Sequence, residues 1–100
     1  MEIFMASRLT AGNKIFPSEI SIGPRGVTLK IPGLFSGNEK TVPYTRISSV
    51  DISSPLVGFS TIIIETTGEG SIKVHGFKRN EVKRMKELIL EKINSHTHKE

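Results

Sequence analysis

The chain has no cysteine, no tryptophan and a single tyrosine among its 100 residues. Without cysteine it cannot form a disulfide, a thiol nucleophile or a zinc site with thiolate ligands. No stretch of the sequence approaches the ~20 consecutive apolar residues that a transmembrane helix needs. The first nine residues carry Glu2 and Arg8 and no long apolar run, so we expect no signal peptide. These absences favour a cytoplasmic protein, and the length favours one domain.

Common catalytic motifs are also missing. The sequence holds no glycine-rich phosphate loop and no Gly-x-Ser-x-Gly, so we expect neither an enzyme nor a cofactor. The pair His96 and His98 can bind a metal ion, but a disordered polar tail is the favoured interpretation, and we expect no metal site. Aromatic residues are few and are not interleaved with cations, so no platform for nucleic acid is predicted.

Alternation of apolar and polar residues predicts strands through most of the chain. The clearest is a hairpin over residues 19–31, whose turn is the Gly-Pro-Arg-Gly of residues 23–26. Pro43 has no N–H for a strand ladder, so it marks a sheet edge or the end of a strand. Residues 1–12 show no clear period, and we expect a short helix or an irregular lead-in there. Further strands are predicted at residues 40–44, 48–53, 59–66 and 71–76.

One amphipathic helix is predicted from Asn80 to Asn94. Asn80 is the expected N-cap, because its side chain can accept a hydrogen bond from a first-turn N–H. The apolar residues of this segment fall within a narrow arc at ~100° per residue, so the helix should pack across a sheet or close a barrel end. We therefore expect one domain over residues 1–94, followed by a frayed polar tail at 95–100. The arc consists of Val82, Met85, Ile89 and Ile93.

Three features of the sequence resemble a known family. They are the strand start Gly26-Val27, the stretch Val42-Pro43-Tyr44-Thr45-Arg46-Ile47-Ser48-Ser49-Val50, and Gly76-Phe77 followed by the closing helix. Together they are similar to the bacterial pleckstrin-homology-like (PH-like) domain of the short, single-domain kind, from about Lys14 to Ile93. The resemblance implies a mainly β fold, a bent antiparallel sandwich or barrel of six or seven strands capped by one C-terminal helix.

The resemblance also bears on function. Eukaryotic relatives often bind phosphoinositides through basic residues in the first hairpin loop. Here that loop holds one basic residue, Arg25, so the family's lipid site does not carry over. Some bacterial members self-associate into rings or other oligomers, and no functional residue can be transferred from them.

The leading hypothesis is a non-enzymatic binding or assembly module that acts through protein contacts, with self-association as the expected mode. If Ile62 and Ile64 point inward, Phe59 and Ile63 share the outer face and form an exposed apolar patch, which is typical of a protein contact. An equally weighted alternative is that this strand is covered on both faces. Phe59, Ile63 and Pro43 are the contact candidates. Leu34 and Phe35, in a glycine-rich loop, either insert into a membrane or a partner or fold back over the barrel end, and folding back is the favoured interpretation.

The alternative hypothesis is peripheral binding to anionic membrane lipid, which would place the protein at the inner face of the membrane. The net charge is +4, and its basic excess lies near the predicted helix. The candidate residues are Arg25, Lys78, Arg79 and Lys83. Helical spacing puts the acidic residues Glu87 and Glu91 on the outermost face, so a solvated helix face is favoured over a single basic patch.

Overall fold

The computed structural model describes residues 1–7, 18–31 and 39–97, in which seven strands precede one C-terminal helix. A 3₁₀ turn over Tyr44–Arg46 connects the fourth and fifth strands. The elements are β1 (Glu2–Met5), β2 (Glu19–Ile22), β3 (Gly26–Lys30), β4 (Lys40–Pro43), β5 (Ile47–Ser53), β6 (Ser60–Thr66), β7 (Gly70–Phe77) and α1 (Arg79–Thr97).

The strands form two antiparallel sheets, each in sequence order. The first is β1-β2-β3-β4 and the second is β5-β6-β7. A backbone hydrogen bond joins them, since Ser7 N–H donates to the Gly76 carbonyl at 2.8 Å. The bond from Thr67 N–H to the Arg46 carbonyl at 2.9 Å extends the β5–β6 pair within the second sheet. Helix α1 packs against β5, β6, β2 and the 3₁₀ turn. The predicted mainly β fold with one C-terminal helix is confirmed.

The core lies between the sheets and beneath α1. Each strand contributes alternate residues to it, because successive side chains of a strand point to opposite faces. Ile62 and Ile64 of β6 are fully buried, as the inward orientation of these two residues predicts. The helix contributes its apolar stripe through Val82, Met85 and Ile89, all fully buried. Fully buried side chains in the sheets and the 3₁₀ turn also include Ile20, Val27, Leu29, Val42, Tyr44 and Phe77.

The turn between β2 and β3 explains two residues of the family-like stretches. Gly23 N–H donates to the Gly26 carbonyl at 3.1 Å, and the Tyr44 hydroxyl donates to the Gly23 carbonyl. A Cβ at Gly26 would lie 2.4 Å from the Val42 carbonyl oxygen, so only glycine fits where β3 meets β4. Burial raises the pKa of Tyr44 to about 12. Gly26 and Tyr44 therefore serve packing rather than chemistry.

The first residues form a strand, and the expected helix or irregular lead-in is wrong for residues 2–5. β1 pairs with β2 over four residues, from Glu2 opposite Ile22 to Met5 opposite Glu19. Phe4 packs against the core while its neighbours Ile3 and Met5 face outward. A strand of only four residues shows too few alternations to be recognised in the sequence.

The helix begins one residue earlier than predicted, and Asn80 is not its N-cap. Lys78 takes the capping position, and its N–H donates to the Glu81 carboxylate at 2.8 Å. This is the back-reaching half of a capping box, in which an acidic third residue satisfies the capping residue's amide. The helix ends at Thr97, beyond the predicted end at Asn94.

The predicted strand boundaries also shift by one residue at several positions, including the start of β5 and both ends of β7. Phe59 precedes β6 instead of opening it, and Tyr44 lies in the 3₁₀ turn instead of in β4. Pro43 is the last residue of β4, which is an edge strand, as its missing N–H predicts. The loop residues Leu34 and Phe35 lie outside the described residues, as do the side chains of His96 and His98.

Candidate interaction surfaces

The outer face of β1 carries an exposed apolar row. Ile3 is 58% exposed and Met5 is 52% exposed, and Met1, just before the strand, is 83% exposed. The opposite face of β1 is anchored, because Phe4 packs on the core and the Glu2 carboxylate accepts a hydrogen bond from Arg84 at 2.8 Å. Among the described strands, β1 pairs on one side only, with β2. We call its other side, together with the exposed side chains of Met1, Ile3 and Met5, the β1 edge.

The β1 edge carries neither lysine nor proline among the residues that the structure describes, although β1 is short and Glu2 places a charge on its inner face. Within the described residues, β1 pairs with β2 alone, and the register of that pair has no bulge. Edge strands are commonly protected by lysine, proline, bulges or inward charges. The opposite edge of this sheet has two of these features, since β4 begins at Lys40 and ends at Pro43. The two edges of this sheet therefore differ in their lysine and proline content.

The three predicted protein-contact residues do not share a surface. Ile63 lies on the central strand of the second sheet, half-buried, with Asp51 and Lys73 opposite it on the neighbouring strands. Phe59 is half-buried in the loop before β6, and Pro43 is exposed in the first sheet. Among the described residues, none of the three belongs to the strongly exposed large apolar side chains.

The predicted cations also separate into two places. Lys78, Arg79 and Lys83 are exposed at the start of α1. Arg25 lies in the β2–β3 turn, which is a different element of the fold.

Arg84 is engaged in an ion pair. Its guanidinium meets the Glu2 carboxylate at 2.8 Å, although the two residues stand 82 positions apart in the chain. The hydrogen bond that Arg84 donates to the Glu2 carboxylate is the main cause of a raised pKa for Arg84, and the same carboxylate adds a coulombic contribution. This pair ties α1 to the first strand rather than offering a cation to a ligand.

The loop between β5 and β6 is a surface that sequence reasoning missed. Leu56 is 96% exposed and Val57 is 88% exposed, the two highest values among the large apolar side chains that the structure describes. The Arg79 guanidinium donates to the Pro55 carbonyl at 2.7 Å, which places the loop beside the start of α1. The signal in the sequence was an aliphatic pair between Pro55 and Gly58, at a point where no strand can continue.

The outer face of the second sheet is polar. The Thr61 hydroxyl and His75 Nδ1 lie 2.8 Å apart, and the Ser71 hydroxyl donates to the Glu65 carboxylate at 3.1 Å. Across the described part of the chain, no three histidine or carboxylate side chains cluster as a metal ligand set. The one described helix, α1, is not apolar enough to cross a membrane.

Sheets of four and three antiparallel strands, closed by a C-terminal helix, define a PH-like β-sandwich. A family model described as the bacterial PH domain matches residues 6–93, and the chain belongs to this family. The resemblance found in the sequence is thereby confirmed. No curated protein matches the chain. Domains of this kind are binding modules and are generally non-catalytic, which supports a binding role for the chain.

Proposed function

We propose that the chain is a non-enzymatic assembly module, in which two copies associate by pairing their β1 edges. The observation that carries the proposal is the exposed apolar row on an edge strand that has no lysine, proline or bulge. The backbone N–H and C=O groups along such an edge are best satisfied by another extended strand. A second copy of this chain supplies that strand together with a matching apolar row.

The arrangement of β1 favours an antiparallel pair with two-fold symmetry. Residues directly opposite each other in an antiparallel pair point to the same side of the sheet. A pair centred on Ile3 therefore sets Ile3 against its own copy and Met1 against Met5 of the second copy. The interface is self-complementary, as a two-fold dimer requires.

The expected affinity is modest because β1 has only four residues. So short a strand buries less than the ~800 Å² per partner of a standard protein interface. We expect a dissociation constant of about 1–100 μM, which corresponds to roughly 5–8 kcal/mol of binding free energy. Self-association should thus be visible at about 100 μM protein and should decrease on dilution to about 1 μM.

Light scattering tests the proposal. The mass should exceed the 11.0 kDa of one chain at the higher concentration. Ile3→Lys should restore the monomer mass, because a lysine on an edge strand opposes pairing. Thr67→Lys adds the same charge on an exposed turn and should leave the oligomer intact. A wild type that stays monomeric refutes self-association.

Two further variants locate the interface. Ile63→Lys changes the outer face of the second sheet. If Ile63→Lys disrupts the oligomer and Ile3→Lys does not, the interface is that face instead of the β1 edge. Ile3→Cys introduces the only thiol of the chain. Under oxidation it should yield a disulfide-linked dimer, because the two copies of residue 3 face each other across the proposed axis. Thr67→Cys, far from that axis, should not.

We propose peripheral binding to anionic lipid at the inner membrane face as a second candidate function. Its support is the exposed group Lys78, Arg79 and Lys83 at a helix N-terminus, where the dipole does not favour cations. At ~1 kcal/mol per cation near an anionic surface, three of them give about 3 kcal/mol, weaker than millimolar binding. Flotation with vesicles tests the candidate: binding that needs anionic lipid and weakens with salt supports it, and absent or salt-insensitive binding removes it.

A further inference from the structure

The β5–β6 loop is held closed at its base. The hydroxyls of Ser54 and Ser60 lie 2.9 Å apart across the neck of the loop. The Arg79 guanidinium donates to the Pro55 carbonyl at 2.7 Å, which ties the same neck to the first turn of α1. The residues between these contacts are therefore presented from a fixed base.

The tip of this loop is apolar and projects away from the domain. Leu56 and Val57 are 96% and 88% exposed, so neither packs on the core. Gly58, which follows them, has a φ of +104°, and no atom lies within 4 Å of the position that a Cβ would take there. Two adjacent aliphatic side chains are thus held in water, where they gain nothing from the hydrophobic effect.

The charge beside this tip is positive. Lys78 and Arg79 begin α1 next to the loop neck, and Lys83 stands one turn beyond Arg79 on the same side of the helix. Glu81 is the acidic residue of that first turn, and its carboxylate accepts the Lys78 N–H. Three cations and one anion leave this group at +2.

We infer that Leu56 and Val57 insert into the interface of an anionic bilayer while Lys78, Arg79 and Lys83 meet the lipid phosphates. The inference rests on the second candidate function. It names the apolar residues that would add to the weak electrostatic attraction between three cations and the lipid. We call Leu56 and Val57 the loop tip. Apolar contact and positive charge on one protruding surface are complementary to the two layers of an anionic membrane surface, hydrocarbon and headgroup.

A bilayer fits the loop tip better than a protein partner does. A standard protein interface buries about 800 Å² on each side and demands a complementary shape. Two side chains on a protruding loop supply far less area and no pocket. A fluid interface needs no matching shape and accepts single aliphatic side chains.

The absence of tryptophan in the chain allows a direct test. Leu56→Trp places a single indole at the loop tip, and its emission should shift to the blue when vesicles of phosphatidylcholine with phosphatidylglycerol are added. Thr67→Trp places the indole on the exposed β6–β7 turn as the matched control, and its emission should not shift. Vesicles of phosphatidylcholine alone should give a much smaller shift at Leu56→Trp, because the cations then have no counter-charge.

Flotation of the full chain then separates the contributions. The double change Leu56→Ser with Val57→Ser should weaken binding to the anionic vesicles by about 10- to 50-fold, the range expected when two aliphatic side chains are partly buried. Lys78→Gln with Lys83→Gln should weaken it and lower its salt dependence. Arg79 is left unchanged because it supports the loop.

The outcomes distinguish the two claims. If the wild type does not float with anionic vesicles, the lipid function fails and insertion fails with it. If the wild type floats, the loop-tip variant floats equally and Leu56→Trp shows no blue shift, insertion is refuted while the lipid function stands. If the loop-tip variant instead loses self-association in the absence of vesicles, the loop tip is a protein contact and the inference is overturned.

Discussion

Gly26→Ala should be among the most damaging small substitutions in this chain. The added Cβ would lie 2.4 Å from the Val42 carbonyl oxygen, 2.9 Å from the Val42 carbonyl carbon and 3.0 Å from Pro43 Cα. All three atoms are backbone, so no side-chain rotation relieves the contact. β3 and β4 must separate at the point where Gly26 and Pro43 face each other.

The cost follows from this geometry. Overpacking at a tightly packed site costs about 1–3 kcal/mol, and the upper part of that range applies because backbone must move. Alanine recovers about 0.5–1 kcal/mol by restricting the unfolded chain. We expect a net loss of about 2 kcal/mol, which lowers the Tm of a domain of this size by roughly 8–16 °C.

Gly23→Ala provides the matched control in the same turn. Its Cβ would meet Met1 Cε at 3.5 Å and the Gly26 carbonyl oxygen at 3.8 Å, both ordinary contacts. Its stability should stay within ~1 kcal/mol of the wild type. Urea unfolding, followed by the helix signal in circular dichroism at low protein concentration, compares the two variants. Equal midpoints for Gly26→Ala and Gly23→Ala would refute the steric argument.

The remaining predictions use the same unfolding assay. Tyr44→Phe should cost about 1–2 kcal/mol at neutral pH, because the Gly23 carbonyl loses its donor. Burial raises the pKa of Tyr44 from 10.0 to about 12, so the folded state holds the phenolic proton more tightly than the unfolded state. The free energy of unfolding that this pKa difference contributes is present below about pH 10 and is lost as the pH rises towards 12. The Tyr44→Phe variant should not show this alkaline loss of stability. An equal loss in the variant would contradict the assignment to Tyr44. Glu81→Ala should cost about 0.5–1 kcal/mol through the Lys78 amide, and Asn80→Ala almost nothing; the reverse order would restore Asn80 as the cap.

The spacing of apolar residues in the sequence predicted those elements that are long enough to show the spacing several times. β6 and β7 are long enough to show alternation, and Val82, Met85 and Ile89 mark the helix face, so their burial followed from spacing alone. The start of α1 did not follow in the same way. Asn80 has a stronger intrinsic preference for the capping position than Lys78 has. Lys78 nevertheless takes that position, and the Glu81 carboxylate accepts a hydrogen bond from its N–H.

The candidate surfaces were less predictable because they depend on contacts distant in the chain. Glu2 meets Arg84 across 82 positions, and no local pattern indicates that pair. Whether an aliphatic pair in a loop folds back or projects is decided by what lies beneath it. Beside Leu56 and Val57, the Arg79 guanidinium donates to the Pro55 carbonyl, and that contact joins two segments 24 positions apart.

The anchoring of β1 has a consequence for the order in which its contacts form during synthesis. Ser7 bonds to Gly76 and Glu2 pairs with Arg84, so both anchors require residues that are synthesised long after β1. Chains grow from the N-terminus at about 5–20 residues per second, so the intervening residues delay these two contacts by several seconds. During that time β1 can pair with β2 but has neither anchor.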